Sequence, residues 1–464
     1  MRIEISNRIR VDGPSPELVA WCKKHLVLTN PEYAKKARMG FWLGDTPKTI
    51  SLMEWDGNTL VLPYGCLKVM EDLADPYFDY WTKCFGTPKN VDYGCEVPLY
   101  DYQQEAVEVM SKVYCGILQS PAGSGKTQMG IALAAKLGVK TLWLCHTLDL
   151  VKQSKDRAEL YMSPHLTGLI SRGKVQIGQA ITFATVQTMS NLNLSLYKDT
   201  WDCIIVDECH HAVASPTAVK MFAKVLESLA ARRKYGLSAT VHRADGLIAA
   251  THALLGPVCH KVPDSAVADK IMKVTILPRP TEQGLSREFM DTDGTIIHSR
   301  MINFLADRYD RNELIAQDLV ENRDHYNLIL SDRVGHLKYL MSHLPPDLRK
   351  QSALVDGSMV NKAEKAAREQ AIEDMRTGRK RYLFATYALA REGLDIPRLD
   401  RLYLTTPQKD FAVITQSIGR IARTFEGKGE PICYDYIDNG IVTLVKAYKK
   451  RCTTYRKLGC KILG

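Results

Sequence analysis

No Cys-x-x-Cys pair occurs in the chain, and its twelve cysteines are scattered from Cys22 to Cys460. That scatter offers neither a zinc knuckle nor a redox dithiol and suits free thiols in a reducing cytosol. No run of eighteen apolar residues occurs either, which excludes an ordinary membrane-spanning helix. The opening residues, MRIEISNRIRV, alternate apolar and charged side chains instead of forming the unbroken apolar core of a secretory leader, so a cytoplasmic protein is expected. No long heptad run demands a coiled-coil dimer, and a monomer is expected. With apolar residues at 45% and charged residues at 25%, the composition is that of a folded chain, not a disordered one.

What is present is length and positive charge. At 464 residues the chain exceeds one ordinary core, and a prior of about 150 residues per domain suggests three folded units. Lysine and arginine outnumber the acids 62 to 52, for a formal charge of +10, a balance that suits a polyanionic partner.

From Tyr114 to Thr240 short apolar runs alternate with helical patterns: YCGILQ, a helix over 128–137, KTLWLCH, a helix over 148–161, then AITFATV, DCIIVDE and KYGLSAT. The rhythm predicts a parallel sheet covered by helices. A second series runs NLILSD, a helix over 335–344, SALVDGS, a charged helix over 362–376 stopped by Gly378, RYLFATY, DRLYLTT, a helix over 411–424 and PICYDYI. The fold expected is therefore α/β, with two tandem doubly wound parallel-sheet domains. Prolines and glycines in LLGPVCHKVPDS and LPRPTEQG break both patterns and place the join near Val262. The domains are expected over 91–262 and 263–440. Residues 1–90 read as a small α+β module, with an alternating start, a helix over 16–25 and a hairpin at Asp56-Gly57. Residues 441–464 read as a basic tail, VKAYKKRCTTYRKLGCK with Tyr448 and Tyr455 interleaved, that is either a solvated helix face or a nucleic-acid contact.

The sharpest chemical signal is SPAGSGKT, Ser120 to Thr127, between an apolar strand and a helix. There the backbone amides of Ala122, Gly123, Ser124 and Gly125 can wrap phosphate oxygens. Lys126 is placed to reach the β and γ phosphates and Thr127 to hold Mg²⁺ through its hydroxyl. The full phosphate-loop pattern has glycine where Ser120 stands. Asp207-Glu208-Cys209-His210 follows the strand CIIV, so its carboxylates emerge where ligands bind in such sheets. Alone, such a pair is more often a helix cap. After a phosphate loop, Asp207 reads as a second Mg²⁺ ligand and Glu208 as the group that orients or deprotonates the attacking water. In QSIGRIAR, Arg420 and Arg423 stand three apart on one helical face, as arginine fingers or as surface ion-pair partners. His146, His210 and His211 read as polar strand-end groups and not as metal ligands.

Taken in order, these residues resemble superfamily 2 helicases and translocases, in the branch holding transcription-repair helicases, bacteriophage recombination helicases and type III restriction motor subunits. The likeness covers residues 97–437 and makes the two large domains RecA-like. PLYDYQQEAV is similar to the Q motif, with Gln103 at the adenine-sensing position and Tyr100 where arginine is common. SPAGSGKT matches motif I, and DECH is motif II. LWLCHTLDLVKQ and TFATVQTM resemble the strand-gripping motifs Ia and Ib, which implicates Thr147, Thr185 and Gln187. GLSATVHRADG resembles motif III, with Ser238, Ala239 and Thr240 coupling hydrolysis to strand movement and Val241 where proline is usual. FATYALAREGLDIP looks like motif V, with Thr386 on the nucleic-acid backbone and Gly393 and Asp395 near the nucleotide. QSIGRIAR resembles motif VI, which adds Gln416, Arg420 and Arg423 to the catalytic set.

The resemblance implies an ATP- and Mg²⁺-using DNA helicase or translocase that unwinds or remodels duplex, forked or branched DNA with 3′ to 5′ polarity, in a bacterial or phage-infected cell. ATP would be gripped between Lys126 of the first domain and Arg420 of the second. YDYQQ and QSIGR favour DNA over RNA by analogy. Two alternatives stand beside this reading: a motor subunit of a restriction or antiviral defence complex with a nuclease or methyltransferase partner, and an RNA helicase or nucleotide-gated clamp that separates no strands.

Overall fold

Parallel pairing dominates both large sheets of the computed structural model, which describes residues 2–73, 81–83, 85–121, 123–211, 213, 215–239, 246–357, 359, 361–391 and 394–463. The chain divides into two units, Met1–Pro263 and Asp264–Gly464. Each has the RecA-like arrangement of a mostly parallel sheet with helical crossovers.

In the first unit eight strands lie in the order Lys174–Gln176, Thr167–Ser171, Ile181–Thr185, Thr141–Cys145, Cys203–Val206, Arg233–Ser238, Cys115–Gln119 and Val258–Lys261. All neighbours are parallel except the hairpin at the Lys174–Gln176 edge. Central strands such as TLWLC and CIIV are buried along their whole length. This is why they read as unbroken apolar runs: both faces are covered by helices. Parallel order also sends the chain ends after Gln119, Cys145, Thr185, Val206 and Ser238 to one edge of the sheet.

The strand Val258–Lys261 was not expected. Its pairing with Cys115–Gln119 absorbs the Gly256-Pro257 break, because the strand lies at the sheet's edge, where interruptions are tolerated.

Residues 2–73 and 81–83 build a five-stranded sheet in the order Glu54–Asp56, Thr59–Pro63, Arg8–Asp12, Arg2–Ile5 and Trp81–Lys83. The alternating start is a hairpin, with Ile3, Ile5, Ile9 and Val11 all buried. Those side chains belong to one hydrophobic cluster with Leu142, Ile204, Phe222 and Leu254. The module therefore shares its core with the first large sheet.

The second unit holds seven strands in the order Ser352–Val355, Tyr382–Thr386, Asn327–Ser331, Arg401–Leu404, Ile432–Gly440, Thr275–Gly284 and Lys461–Ile462, all parallel. The charged helix spans Lys362–Thr377, with an Asn361/Glu364 capping box and Gly378 in the left-handed conformation at its end, as its sequence predicts.

Two expectations fail here. LPRPTEQG is part of the strand Thr275–Gly284, not a linker. Thr275 donates its N–H to Pro431 on one side, and Ile276 accepts from Leu463 on the other. Pro278 and Pro280 follow Ile276 at the strand period of two, on the side where Lys461–Ile462 reaches no farther than Ile276. Their missing N–H groups thus cost no ladder bond.

The basic stretch 441–464 is not a tail but a helix, Val442–Lys457, followed by the edge strand. Arg451 makes a two-pronged pair with Asp435 at 2.9 and 2.8 Å, and the Tyr455 hydroxyl donates to the same carboxylate at 2.7 Å. Two residues that read as contacts for a polyanion instead hold the helix to its own sheet. Among the described residues no helix is long and apolar enough to cross a membrane.

Candidate nucleotide site

The phosphate-loop sequence forms the turn between the strand Cys115–Gln119 and the helix Lys126–Leu137. Gly123 and Gly125 have φ of 82° and 80°, in the region where a side chain is strained. At Gly125 space is also lacking, since a Cβ would lie 2.5 Å from the Gln103 amide nitrogen. Ala122 lies outside the described residues.

Gln103 shows why the loop and the Q motif occur together. It is buried, and both ends of its amide are engaged: Oε1 accepts from the Tyr100 N–H at 2.9 Å, and Nε2 donates to the Ser124 carbonyl at 2.8 Å. The Tyr102 hydroxyl donates to that same carbonyl at 3.0 Å. Each end of the amide keeps one further site, a lone pair on Oε1 and an N–H on Nε2, for an adenine contact. Tyr102 was not singled out from the sequence, because a tyrosine two residues past Tyr100 carries no motif signal of its own.

Lys126 opens the helix and turns its ammonium back over the loop. It is 3.5 Å from the carbonyls of Ser120 and Pro121 and 3.7 Å from Glu208 Oε1. Thr127 Oγ1 lies 3.4 Å from Asp207 Oδ2. Ser154, in the second turn of the helix Leu148–Glu159, places its hydroxyl 3.5 Å from the same oxygen, a contact that nothing in the local sequence announces. Four of the expected groups, Lys126, Thr127, Asp207 and Glu208, thus meet at one sheet edge.

Asp207 is almost fully buried, and burial together with the neighbouring Glu208 carboxylate pushes its pKa up, against the pull of Lys126. A carboxylate so placed, with a threonine hydroxyl beside it, fits a small divalent cation, for which oxygen ligands are preferred. Glu208 has φ of 47°, a left-handed conformation that costs a residue with a side chain about 1–3 kcal/mol.

His210, in the turn after Glu208, places Nδ1 2.8 Å from the buried Ser238 hydroxyl at the end of the strand Arg233–Ser238. His146 and His211 lie against each other with their rings tilted by 33° and centroids 4.4 Å apart. Ala239 follows Ser238 at the strand's end; Thr240 lies outside the described residues.

Thr147, Thr185 and Thr386 share one local role. Each stands at the start of a helix that directly follows a parallel strand, and each hydroxyl accepts from a helical N–H: Leu150 at 3.4 Å, Thr188 at 3.0 Å and Leu389 at 3.4 Å. A capping hydroxyl keeps its own proton to donate, although Thr185 also shares a 2.8 Å contact with the Thr188 hydroxyl. Gln187 is exposed.

In the second unit the helix Phe411–Ile421 ends before Arg423, so the two arginines do not share one helical face as expected. Both reach the segment after the strand Tyr382–Thr386. Arg420 donates to the carbonyls of Ala390 and Leu394, each at 3.0 Å, and Arg423 pairs with the Asp395 carboxylate. Gln416 is half-buried one turn before Arg420. Gly393 lies outside the described residues.

Comparison with known proteins bears on both units. The family model for the type III restriction enzyme res subunit matches residues 96–243, and that for the helicase conserved C-terminal domain matches residues 311–425. The chain is a superfamily 2 helicase.

Relatives of this helicase include viral, phage and archaeal proteins. A putative ATP-dependent RNA helicase, L396, of Acanthamoeba polyphaga mimivirus is 27% identical over 74% of the chain, which spans 64% of that protein's length. Probable helicase D10 of Escherichia phage T5 is 28% identical over 75% of the chain and 73% of its own length. The DNA 3′-5′ translocase XPB2 of Sulfurisphaera tokodaii is 23% identical over 71% and 79%. The structure of S. cerevisiae Dbp5 bound to RNA and ADP BeF3 covers 79% of the chain and 90% of its own, with a TM-score of 0.57 at 16% identity, a likeness of fold. Membership of the family carries ATP use with it.

Proposed function

We propose that this helicase is a DNA-dependent ATPase that moves 3′ to 5′ on duplex or branched DNA and unwinds or remodels it. The observation that carries the hydrolytic half is the convergence of Lys126, Thr127, Asp207 and Glu208 on the edge where the phosphate loop opens. Lys126 and the loop amides take the triphosphate, Thr127 and Asp207 hold Mg²⁺, and Glu208 positions the attacking water, so that catalysis rests on placement and charge neutralisation. The cation neutralises phosphate charge when bound. Arg420 and Arg423, with Gln416, act on the γ-phosphate during turnover, and ATP binding and release shift the population of the motor's states.

The motor half rests on Thr147, Thr185 and Thr386. These hydroxyls follow parallel strands and retain protons for phosphate oxygens, which gives sequence-tolerant, salt-dependent grip. DNA and the 3′ to 5′ polarity are supported by the XPB2 relative, and DNA also by the YDYQQ and QSIGR forms of the motifs.

The test is ATP hydrolysis by the purified chain with single-stranded DNA, duplex, fork and RNA as activators, beside Lys126→Ala. DNA is expected to stimulate most and the variant to hydrolyse nothing. Stronger stimulation by RNA would convert the assignment to an RNA remodeller, the activity named for the mimivirus relative, and a fully active Lys126→Ala would remove the phosphate site. A second reading, the motor subunit of a restriction complex, is favoured by the res-subunit match. It predicts co-purification with a nuclease or methyltransferase.

A further inference from the structure

Pro31–Arg38 is a short helix with no buried residue, and the loop that follows it carries three of the chain's most exposed apolar side chains. Trp42 is 89% exposed, Phe41 60% and Met39 51%. Single exposed hydrophobics are ordinary on protein surfaces, but adjacent aromatic residues at a loop tip are not.

The loop is built to present them. Its neck is closed by Asn30, whose N–H donates to the Lys48 carbonyl at 3.0 Å and whose side chain donates to the Pro47 carbonyl at 2.7 Å. Lys36 crosses it, donating to Thr46 Oγ1 at 2.8 Å while lying 3.4 Å from Glu32. The Phe41 N–H donates to the Lys36 carbonyl, and the Thr46 N–H to that of Leu43, each at 3.0 Å. The Trp42 indole lies against Gly44, whose φ is 49° and whose absent Cβ would stand 3.0 Å from the ring. Glycine there leaves room for the ring to lie over the backbone, with its other face open.

Charge around the tip selects the occupant. Lys35, Lys36, Arg38 and Lys48 flank the aromatic pair in the sequence, against Glu32 and Asp45. Lys35 and Arg38 are exposed and make no ion pair among the described residues. An exposed π surface on a segment that also carries these two unpaired cations matches an unpaired nucleobase, which offers a face to stack and a flanking phosphate to neutralise. An apolar protein partner would use the aromatic residues and leave the cations uncompensated.

We propose that Trp42, supported by Phe41, stacks on an unpaired base of the DNA substrate, with Lys35 and Arg38 on the adjoining phosphates. This makes residues 35–44 the element that distinguishes a fork or gap from continuous duplex. The inference rests on the DNA-motor reading above and names its point of contact with exposed bases.

The experiment compares the full chain with Trp42→Ala and Trp42→Phe, measuring affinity by fluorescence anisotropy for a fork and for a blunt duplex of the same sequence. A second fork carries 2-aminopurine at the first unpaired position. Trp42→Ala is expected to weaken fork binding about tenfold, the loss of roughly one stacked base, to change blunt-duplex binding by less than about twofold, and to abolish the 2-aminopurine quenching seen with the wild type. Trp42→Phe should keep part of each effect. Fork affinity unchanged in Trp42→Ala, or equal losses on fork and duplex, overturns the stacking role while leaving the motor assignment intact. A wild-type chain that binds RNA but no DNA overturns the motor assignment first, and this contact with it.

Discussion

His210 Nδ1 and Ser238 Oγ are 2.8 Å apart, and this contact ties the turn that carries Asp207 and Glu208 to the end of a neighbouring strand. Both residues are buried, so the bond is shielded from competing water. Movement of Glu208 during a hydrolytic cycle would thereby be transmitted to the segment that begins at Ser238. Ser238→Ala should cost about 1 kcal/mol of stability and retain most ATP hydrolysis while losing strand displacement. Parallel ATPase and fork-unwinding assays decide the point, since equal losses in both would make the contact purely structural.

Glu208 lies 3.7 Å from the Lys126 ammonium, close enough to place water beside a phosphate held by that lysine. Glu208→Gln keeps the shape and removes the charge. Hydrolysis should fall by about 10²- to 10⁴-fold, the usual worth of a general base, with ATP binding retained. Equilibrium binding of a fluorescent ATP analogue alongside turnover measures the split, and a matched loss of both would assign Glu208 to binding alone.

Arg420 uses two different nitrogens on two carbonyls, those of Ala390 and Leu394. Lysine carries its donors on a single nitrogen and lacks the fixed fork that reaches the two carbonyls from separate nitrogens. Arg420→Lys should therefore lower kcat by at least about tenfold, as loss of a charge-stabilising contact in the transition state would, with little change in KM for ATP. A rise in KM at constant kcat would place the arginine in ground-state binding instead.

Lys234 is fully buried, donating to the carbonyls of Asn7 and Leu226 at 3.0 and 2.7 Å and lying 4.8 Å from the Tyr64 ring. Burial lowers its pKa from 10.5 to about 7, against the opposing pull of Glu227. Between those two values the unfolded chain holds a proton that the folded chain has released, so stability should rise with pH across the window and level off below about 7. Lys234→Met should flatten that rise, as measured by urea midpoints at several pH values. A wild-type profile that falls through the window would show the lysine to be charged in the folded state.

The phosphate loop, the acidic pair and the arginine motif were legible because each is a short stretch whose chemistry is local. Glycines, a lysine and a hydroxyl within eight residues make a phosphate cradle wherever strand and helix flank them. The sheet strands were legible where both faces are covered, as in TLWLC and CIIV, since complete burial leaves an unbroken apolar run. Thr275–Gly284 was not, because its prolines signal a break to any local pattern, and their harmlessness depends on how short the neighbouring strand is.

Sequence by itself determined the two α/β units, their order and the identity of the groups that gather at the phosphate loop, because periodicity and close spacing are properties of contiguous chain. Tertiary structure alone decided that Gln103 braces Ser124, that Ser154 reaches Asp207, that Arg451 and Tyr455 turn inward to Asp435, and that the N-terminal module shares the first unit's core. Each of these depends on burial and on partners 16 to 53 residues away or farther. A polar side chain's role is fixed by whether water or another residue meets it, which no local pattern records.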